Sequence, residues 1–389
     1  MNYFSDKTVN PGRQPEIDIS KAICIVLMIL IHAYMASSGG YHGIITGLLG
    51  YGAGFLGAGT FMICMGIGMR YSQKQDASSN LYRGILLLTI GQVLNLLRAG
   101  IPGLIAYKAT GNQNFIPYML GVIDSDIITF AGLAFILMAL LKMLKLGDGV
   151  IFLIGIILNF LMVPFYSIIG TPKDFWINKL INLFFLTDNA LFPMCTHFVF
   201  VAFGYLVGGY YRRIIDKTIL SKRVLFICIP IVVVYFALRF TVPFPFMPKY
   251  VPEDEPVLAT DALAVCLDTL ITFAAMYKLV TLQKIKVPTI VFHLSKHINA
   301  YYCISDIILY VWGILLIATR GSLLPASLVH FVIGIIVIAV CYLVIEINNK
   351  IIHFSPGKMN KAVQIIAFFV IWLASAALSF YAYHIYQLY

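Results

Sequence analysis

A lysine and a histidine eleven residues apart are the first residues in the chain whose types and spacing suggest chemistry. Lys21 and His32 lie in the apolar stretch 19–36, which is long enough to cross a bilayer as a helix, since about 20 residues suffice. At about 100° per residue, eleven residues return to nearly the same helical face, about 16 Å farther along the axis. This helix would present a cation near one membrane surface and an imidazole toward the other, where it could act as a general base.

Each of the two residues also has a structural explanation. A lysine near a helix end can extend its ammonium to the membrane surface, and a buried histidine can hydrogen-bond to a neighbouring helix. Ionisable groups inside a spanning helix are nevertheless costly and indicate function by default. Because Lys21 and His32 share a face, we favour a functional role for the pair.

Further polar side chains fall in the predicted outer half of the membrane. Arg98 ends the third apolar stretch, and Asp124 and Asp126 open the fourth. So many polar groups in one half of a membrane indicate a polar cavity, although Asp124 and Asp126 also fit the role of helix N-caps. The other members of this set are Gln92, Asn95, Asp188, His197, Asp261, Asp268, Asp306 and His330.

The predicted inner ends of the apolar stretches are basic. Besides Lys21, they carry Arg70, Arg83 and Lys296. Basic residues around an inner opening suit a phosphorylated cytosolic ligand. The same residues equally fit the excess of lysine and arginine that cytosolic loops of membrane proteins show.

No metal site is predicted. His293 and His297 have the i, i+4 spacing of two ligands on one helical face, but no third ligand is apparent. The seven cysteines lie inside apolar segments and form no CxxC pair, so neither a zinc site nor a disulfide framework is indicated. They are Cys24, Cys64, Cys195, Cys228, Cys266, Cys303 and Cys341.

The composition of the 389-residue chain excludes a soluble domain. Hydrophobic residues make up 60% and charged residues 11%, and the mean hydropathy is +0.90. These values indicate an integral membrane protein embedded in a lipid bilayer. The net charge of +10 does not indicate a nucleic-acid partner, because the basic residues lie between apolar spans.

We predict an all-α bundle of about eleven transmembrane helices, ten of them a core, forming a single membrane-embedded domain over residues 1–389 with a cytosolic segment at 1–18. With these spans, 19 of the 27 lysines and arginines fall on the same side of the membrane as the N-terminus. Because cytosolic loops are enriched in lysine and arginine, this predicts a cytosolic N-terminus and an extracytoplasmic C-terminus. The predicted spans are 19–37, 52–71, 82–99, 124–144, 149–169, 190–211, 223–240, 259–281, 297–318, 324–346 and 363–386.

Three stretches resemble the acyltransferase-3 family of membrane O-acyltransferases. The first is Lys21-x10-His32, where the family usually has arginine at the position of Lys21. The glycine-rich stretch 57–66 is similar to the family's second span, and 292–302 is similar to a late span. The resemblance implies about ten core helices, a cytosolic acyl-coenzyme A donor and an extracytoplasmic acceptor.

Other stretches are similar to the related heparan-α-glucosaminide N-acetyltransferase group. They are 61–72, 83–88 and 191–208. In that group the catalytic histidine lies in the outer loop after the first span, which is where His42 lies in this chain. His42 is therefore a rival to His32.

From the residues and the resemblance together, we expect an acyltransferase that moves an acyl group, acetyl in the first place, from acetyl-CoA to a hydroxyl or amine of a sugar, glycan or small molecule. His32 would act as general base or acyl carrier. The supporting residues would be Asp124 and Asp126, and the donor contacts Lys21, Arg70, Arg83, Arg98 and Lys296. We expect a multi-pass protein of the plasma membrane, with a homodimer as one possible assembly.

Two other functions remain open from the sequence. The same polar cavity and basic opening would serve a transporter of a small polar or anionic solute, although the sequence shows no clear internal repeat. A membrane protein that keeps the fold without the chemistry is the other alternative, suggested by lysine in place of arginine at position 21.

Overall fold

The computed structural model describes residues 3–38, 54–187, 191–241, 259–325 and 328–387. Within these ranges the regular elements are helical, apart from an isolated β-bridge between Phe4 and Ile214. The predicted all-α architecture is confirmed. The α-helices are α1 (Pro15–Ser38), α2 (Thr60–Tyr71), α3 (Ala77–Asn95), α4 (Ile101–Thr110), α5 (Ile116–Leu120), α6 (Ile127–Met143), α7 (Asp148–Ile169), α8 (Phe175–Asn182), α9 (Met194–Tyr211), α10 (Lys217–Thr241), α11 (Ala259–Tyr277), α12 (Thr289–Lys296), α13 (Ile298–Arg320), α14 (Val329–Ile347) and α15 (Lys361–Gln387).

Ten helical stretches in the described residues are long and apolar enough to cross a membrane, and each overlaps a predicted span. The remaining predicted span, 52–71, is the second along the chain. It begins outside the described residues and continues as a π-helical turn, Gly54–Gly59, followed by α2. The ten stretches are Pro15–Ser38, Ala77–Thr110, Gln113–Met143, Asp148–Ile168, Met194–Tyr211, Lys217–Leu238, Thr260–Thr281, Ile298–Arg320, Val329–Ile352 and Lys361–Gln387.

The third span is much longer than its hydropathy pattern predicts. Helix α3 starts at its N-cap Asp76, which accepts a hydrogen bond from the Ser79 backbone N–H at 2.8 Å, and this bond lowers the pKa of Asp76. The helix then continues through a π-helical segment, Leu96–Gly100, into α4. Residues 100–123, predicted as an outer connection, are therefore mostly helical.

The reason for this difference lies around Pro102. Glycine and proline near residue 100 normally signal a loop. Here the π-helical segment ends two residues before Pro102, and its wider turn lets a continuous helix accommodate the proline ring and the missing N–H. The helix ends only at Gly111, which has a left-handed φ of +67°.

Glycines allow helices α2 and α9 to cross closely in the core. The pairs α2 with α9, α9 with α7, and α3 with α6 pack extensively. At the first crossing, a Cβ added to Gly66 would lie 2.1 Å from the Val201 carbonyl oxygen, and one added to Gly204 would lie 2.0 Å from that of Ile63. These two glycines let the backbones approach each other, which is the usual role of small residues between membrane helices.

Helix α1 packs against α11, α12, α13 and α14, so residues far apart in sequence surround it. Its N-terminal end is held by two buried carboxylates. Glu16 accepts a hydrogen bond from Lys217 at 2.7 Å, and Asp18 accepts from Arg13 at 2.9 Å and from the hydroxyl of Ser295. The bond to Asp18 raises the pKa of Arg13. This anchoring fixes the position of Lys21 and His32 relative to the neighbouring helices.

Candidate active site

His32 meets a carboxylate inside the bundle. Its Nδ1 lies 3.3 Å from Oδ1 of Asp306 on α13. This distance suits an ion pair, but the two atoms do not form a well-aligned hydrogen bond. The Asp306 side chain is fully buried, whereas 30% of the His32 side chain is exposed. In the tautomer that carries its proton on Nδ1, beside Asp306, Nε2 of the imidazole has the lone pair that can take a proton from a substrate.

Arg98 completes a chain of three charged or chargeable groups. Its Nη1 donates a short hydrogen bond to Oδ2 of Asp306, the oxygen that does not face His32. The guanidinium carbon also lies 4.9 Å from the centre of the Tyr310 ring. The π-helical segment Leu96–Gly100 carries Arg98. We call His32, Asp306 and Arg98 the charged chain.

The charged chain lies in a largely enclosed environment. Tyr302, one helical turn before Asp306, is buried, and its ring centre lies 6.2 Å from that of His32 in an edge-on arrangement. Arg98 itself is only 8% exposed. A buried charge is costly unless it is paired with an opposite charge. Asp306 can therefore hold both the guanidinium and the imidazole in place.

The two aspartates expected to support catalysis differ in role. Asp126 is the N-cap of α6 and accepts a hydrogen bond from the Thr129 backbone N–H at 2.7 Å, so the alternative that it is a helix cap is confirmed. Asp124 does not cap α6. It pairs with Lys179 of α8 and is partly exposed.

Several other polar residues of the predicted cavity have local structural partners. Nδ1 of His197 lies 3.1 Å from the Pro193 carbonyl oxygen, and Nε2 of His330 lies 3.0 Å from that of Pro325. Asp261 accepts a hydrogen bond from Tyr235. These contacts explain the residues without a catalytic role.

The predicted donor contacts divide into paired and unpaired cations. Arg70 forms an ion pair with Asp148 at 2.9 Å, and Arg98 pairs with Asp306. Lys21 and Arg83, both half-buried, and the exposed Lys296 have no acidic partner among the described residues. An unpaired cation is available to an anionic ligand, so Lys21, Arg83 and Lys296 remain the better candidates.

The histidine pair near the start of α13 is engaged in protein contacts. His293 lies 3.0 Å from the Tyr301 hydroxyl and 3.2 Å from a carboxylate oxygen of Glu346. Burial, followed by the charges of His293 and Lys296, lowers the pKa of His297. The described residues contain no cluster of three or more histidine, cysteine or acidic side chains that could hold a metal ion.

The sequence predicts a catalytic role for His32, which stays a prediction, and gives no indication of the pairing of His32 with Asp306. The only available signal was that Asp306 lies too deep in its span to be a helix cap. Nothing in the sequence distinguishes Gln92 and Asn95 from the other polar residues of the predicted cavity. His42 and Asp188 lie outside the described residues, so the catalytic role expected of His42 stays a prediction.

Comparison with known protein families gives a match. A family model described as an acyltransferase domain matches residues 14–346. The matched region starts at the anchored end of α1 and includes the whole charged chain, and it leaves only α15 of the predicted spans outside. A comparison with curated proteins gives no match.

Proposed function

Because the chain belongs to the acyltransferase-3 family, we propose that it transfers an acyl group, in the first place acetyl, from cytosolic acetyl-CoA to an acceptor outside the cytosol. The acceptor would be a hydroxyl or amine of a sugar, a glycan or a small molecule. The observation that carries the proposal is the charged chain, in which a partly exposed imidazole is backed by a buried carboxylate. Such a carboxylate orients the imidazole and stabilises its protonated form.

The charged chain supports a direct transfer. Nε2 of His32 removes the proton from the acceptor hydroxyl or amine while the acceptor atom attacks the thioester carbonyl. The tetrahedral intermediate then collapses, the carbon–sulfur bond breaks, and the imidazolium returns the proton to the leaving thiolate. Asp306 stabilises the positive charge on the imidazole, and Arg98 holds the other oxygen of Asp306. Formation of a transient acyl-histidine is the alternative pathway.

The unpaired cations support a donor site on the predicted cytosolic side. Lys21 lies three helical turns before His32 on the same helix, about 16 Å along its axis. Coenzyme A carries phosphates at one end of a long flexible arm and the thioester at the other. Lys21, with Arg83 and Lys296, would therefore bind phosphate while the thioester reaches His32.

The proposal is tested by measuring binding and turnover of radiolabelled acetyl-CoA by purified protein. We expect His32→Ala to retain binding and lose turnover, and His42→Ala to retain both. His384→Ala is the matched control, because His384 is exposed at the end of α15, outside the family match. If His42→Ala alone loses turnover, the catalytic histidine is His42. If the wild type neither binds nor turns over acetyl-CoA, the proposal is wrong and solute transport becomes the function to test.

A further inference from the structure

Three buried polar side chains near the charged chain have hydrogen-bonding atoms without partners among the described residues. Gln92 is fully buried, and neither its Oε1 nor its Nε2 is satisfied. The same is true of Oδ1 of Asn95 and Oδ2 of Asp126, whose residues are 1% and 2% exposed. Buried polar atoms are nearly always hydrogen-bonded in native proteins, so a group of them calls for a ligand or ordered water.

The three side chains lie on α3 and at the start of α6, two helices that pack extensively against each other. Gln92 and Asn95 are three residues apart and share a face of α3. Nδ2 of Asn95 donates to the carbonyl oxygens of Val122 at 2.9 Å and Asp124 at 3.0 Å. That face therefore looks toward the segment that enters α6 at Asp126.

The packing of Gly91 confirms that Asp126 lies against the same part of α3. A Cβ added to Gly91 would be only 3.4 Å from Oδ1 of Asp126. That oxygen already caps α6 through Thr129, so Oδ2 is the oxygen left for another partner. We call Gln92, Asn95 and Asp126 the polar subsite.

The polar subsite adjoins the charged chain. Asp126 lies within electrostatic range of Arg98, Asp306 and Tyr302. Gln92 and Asn95 also precede Arg98 on one continuous helix, two turns and one turn away. A ligand held at the polar subsite would therefore lie beside the residues that we assign to proton transfer.

We propose that the polar subsite binds the acceptor and directs one of its hydroxyls toward His32. This inference rests on the proposed function and adds residues to it. A sugar hydroxyl both donates and accepts hydrogen bonds. The Gln92 amide offers an NH2 group with two N–H donors and an acceptor oxygen, and Asn95 and Asp126 each offer an acceptor oxygen. Neighbouring hydroxyls of a sugar ring match this set, whereas an apolar ligand would leave every one of these atoms unsatisfied.

The chain offers a matched control for a glutamine substitution. Gln364 is also buried, but its Nε2 donates to the carbonyl oxygens of Met359 at 3.0 Å and Pro356 at 3.3 Å. Gln364→Leu breaks these bonds and should lower the melting temperature. Gln92→Leu removes an amide that has no partner in the described part of the protein, and it should leave the melting temperature unchanged or raise it. Gln92→Met, with an unbranched side chain, is the second variant if Gln92→Leu does not fold.

The experiment measures the melting temperature of full-length protein in detergent with N-acetylglucosamine, methyl glucoside or acetyl-CoA added. We expect at least one sugar to stabilise the wild type and Gln364→Leu, and to bind Gln92→Leu about tenfold more weakly, which corresponds to about 1.4 kcal/mol. We expect acetyl-CoA to stabilise all three proteins equally.

The remaining outcomes would contradict either this inference or the proposed function. The inference is wrong if neither sugar stabilises the wild type, or if the sugars stabilise Gln92→Leu as strongly as they stabilise the wild type. It is also wrong if Gln92→Leu is as destabilising as Gln364→Leu and keeps its sugar response, because internal water then satisfies the amide. A sugar response that depends on Gln92 without any acetyl-CoA response would support the polar subsite and contradict the proposed acyl transfer.

Discussion

At the scale of single residues, Asp306 is the centre of the site because its two oxygens serve different partners. One faces the imidazole of His32, and the other accepts from Arg98. The carboxylate thus links the partly exposed imidazole that we propose as general base to a buried guanidinium. Changes at Asp306 should therefore affect catalysis and stability in separable ways.

The substitution Asp306→Asn tests the proposed contribution of Asp306 to catalysis. The substitution keeps the size of the side chain but removes the charge that stabilises a protonated His32. We expect turnover of acetyl-CoA to fall by about 100-fold or more, with binding of acetyl-CoA unchanged. Turnover within a few-fold of the wild type would show that Asp306 does not act through His32. The measurement is single-turnover kinetics beside equilibrium binding.

Substitutions in the ion pair between Asp306 and Arg98 test the contribution of Asp306 to stability. Asp306→Leu or Arg98→Met alone leaves a buried charge without its partner, which costs about 3–5 kcal/mol. The double variant Asp306→Leu/Arg98→Met removes both charges and should be more stable than either single variant. We expect this recovery in thermal unfolding but no recovery of turnover. Additive losses in the double variant would argue against a direct pair.

Substitutions of Lys21 test the proposed binding of the acyl donor near the N-terminal end of α1. We expect Lys21→Ala to weaken acetyl-CoA binding about tenfold, or about 1.4 kcal/mol, and Lys21→Arg to retain it, because either cation can contact phosphate. Binding by Lys21→Ala should also depend less on salt concentration. Lys284→Ala is the control, since Lys284 is exposed on the same predicted side. Equal effects of the two alanine substitutions would mean that only net charge matters.

Part of this site could be predicted from the sequence. Lys21 and His32 lie on one helix, so their spacing alone places them on a common face. Arg98 and Asp306 are 208 residues apart, and only the packing of α13 against the π-helical segment brings them together. A single sequence carries no signal for such a pairing, so it predicts Arg98 as a donor contact and not as a partner of Asp306.

At the scale of elements, hydropathy located the spans well but not their ends. The apolar pattern marks the part of a helix that lies in lipid. It does not report that α3 and α4 continue as one helix to Thr110, because glycine and proline near residue 100 also occur in loops. The glycine-rich pattern likewise does not show which glycines of α2 are needed for packing, whereas the crossing with α9 shows that Gly66 is.

Gly66 and Gly68 on α2 provide a matched pair for this packing. Gly66→Ala would place a Cβ 2.1 Å from the Val201 carbonyl oxygen, whereas nothing lies within 4 Å of a Cβ added to Gly68. We expect Gly66→Ala to destabilise the protein by about 1–3 kcal/mol through overpacking. Gly68→Ala should be neutral or stabilising by up to about 1 kcal/mol, because alanine favours helix. Thermal unfolding of both variants checks this, and equal melting temperatures would contradict the close crossing.

At the scale of the whole molecule, the proposed reaction requires a donor and an acceptor on opposite sides of the membrane. The charge distribution predicts that the unpaired cations Lys21, Arg83 and Lys296 lie toward the cytosol. The direction of transfer therefore depends on the orientation of the whole bundle. An inverted bundle would place the donor contacts away from the cytosolic pool of acetyl-CoA.

Cysteine labelling in intact cells tests this orientation. Gln113 and Lys284 are both exposed and lie on opposite predicted sides. Six of the seven native cysteines are buried and Cys303 is partly buried, so background labelling by a membrane-impermeant maleimide should be low. We expect Gln113→Cys to react in intact cells and Lys284→Cys to react only after permeabilisation. The reverse pattern would contradict a cytosolic donor site, because Lys284 shares its predicted side with Lys21, and acyl transfer from cytosolic acetyl-CoA would then need another entrance.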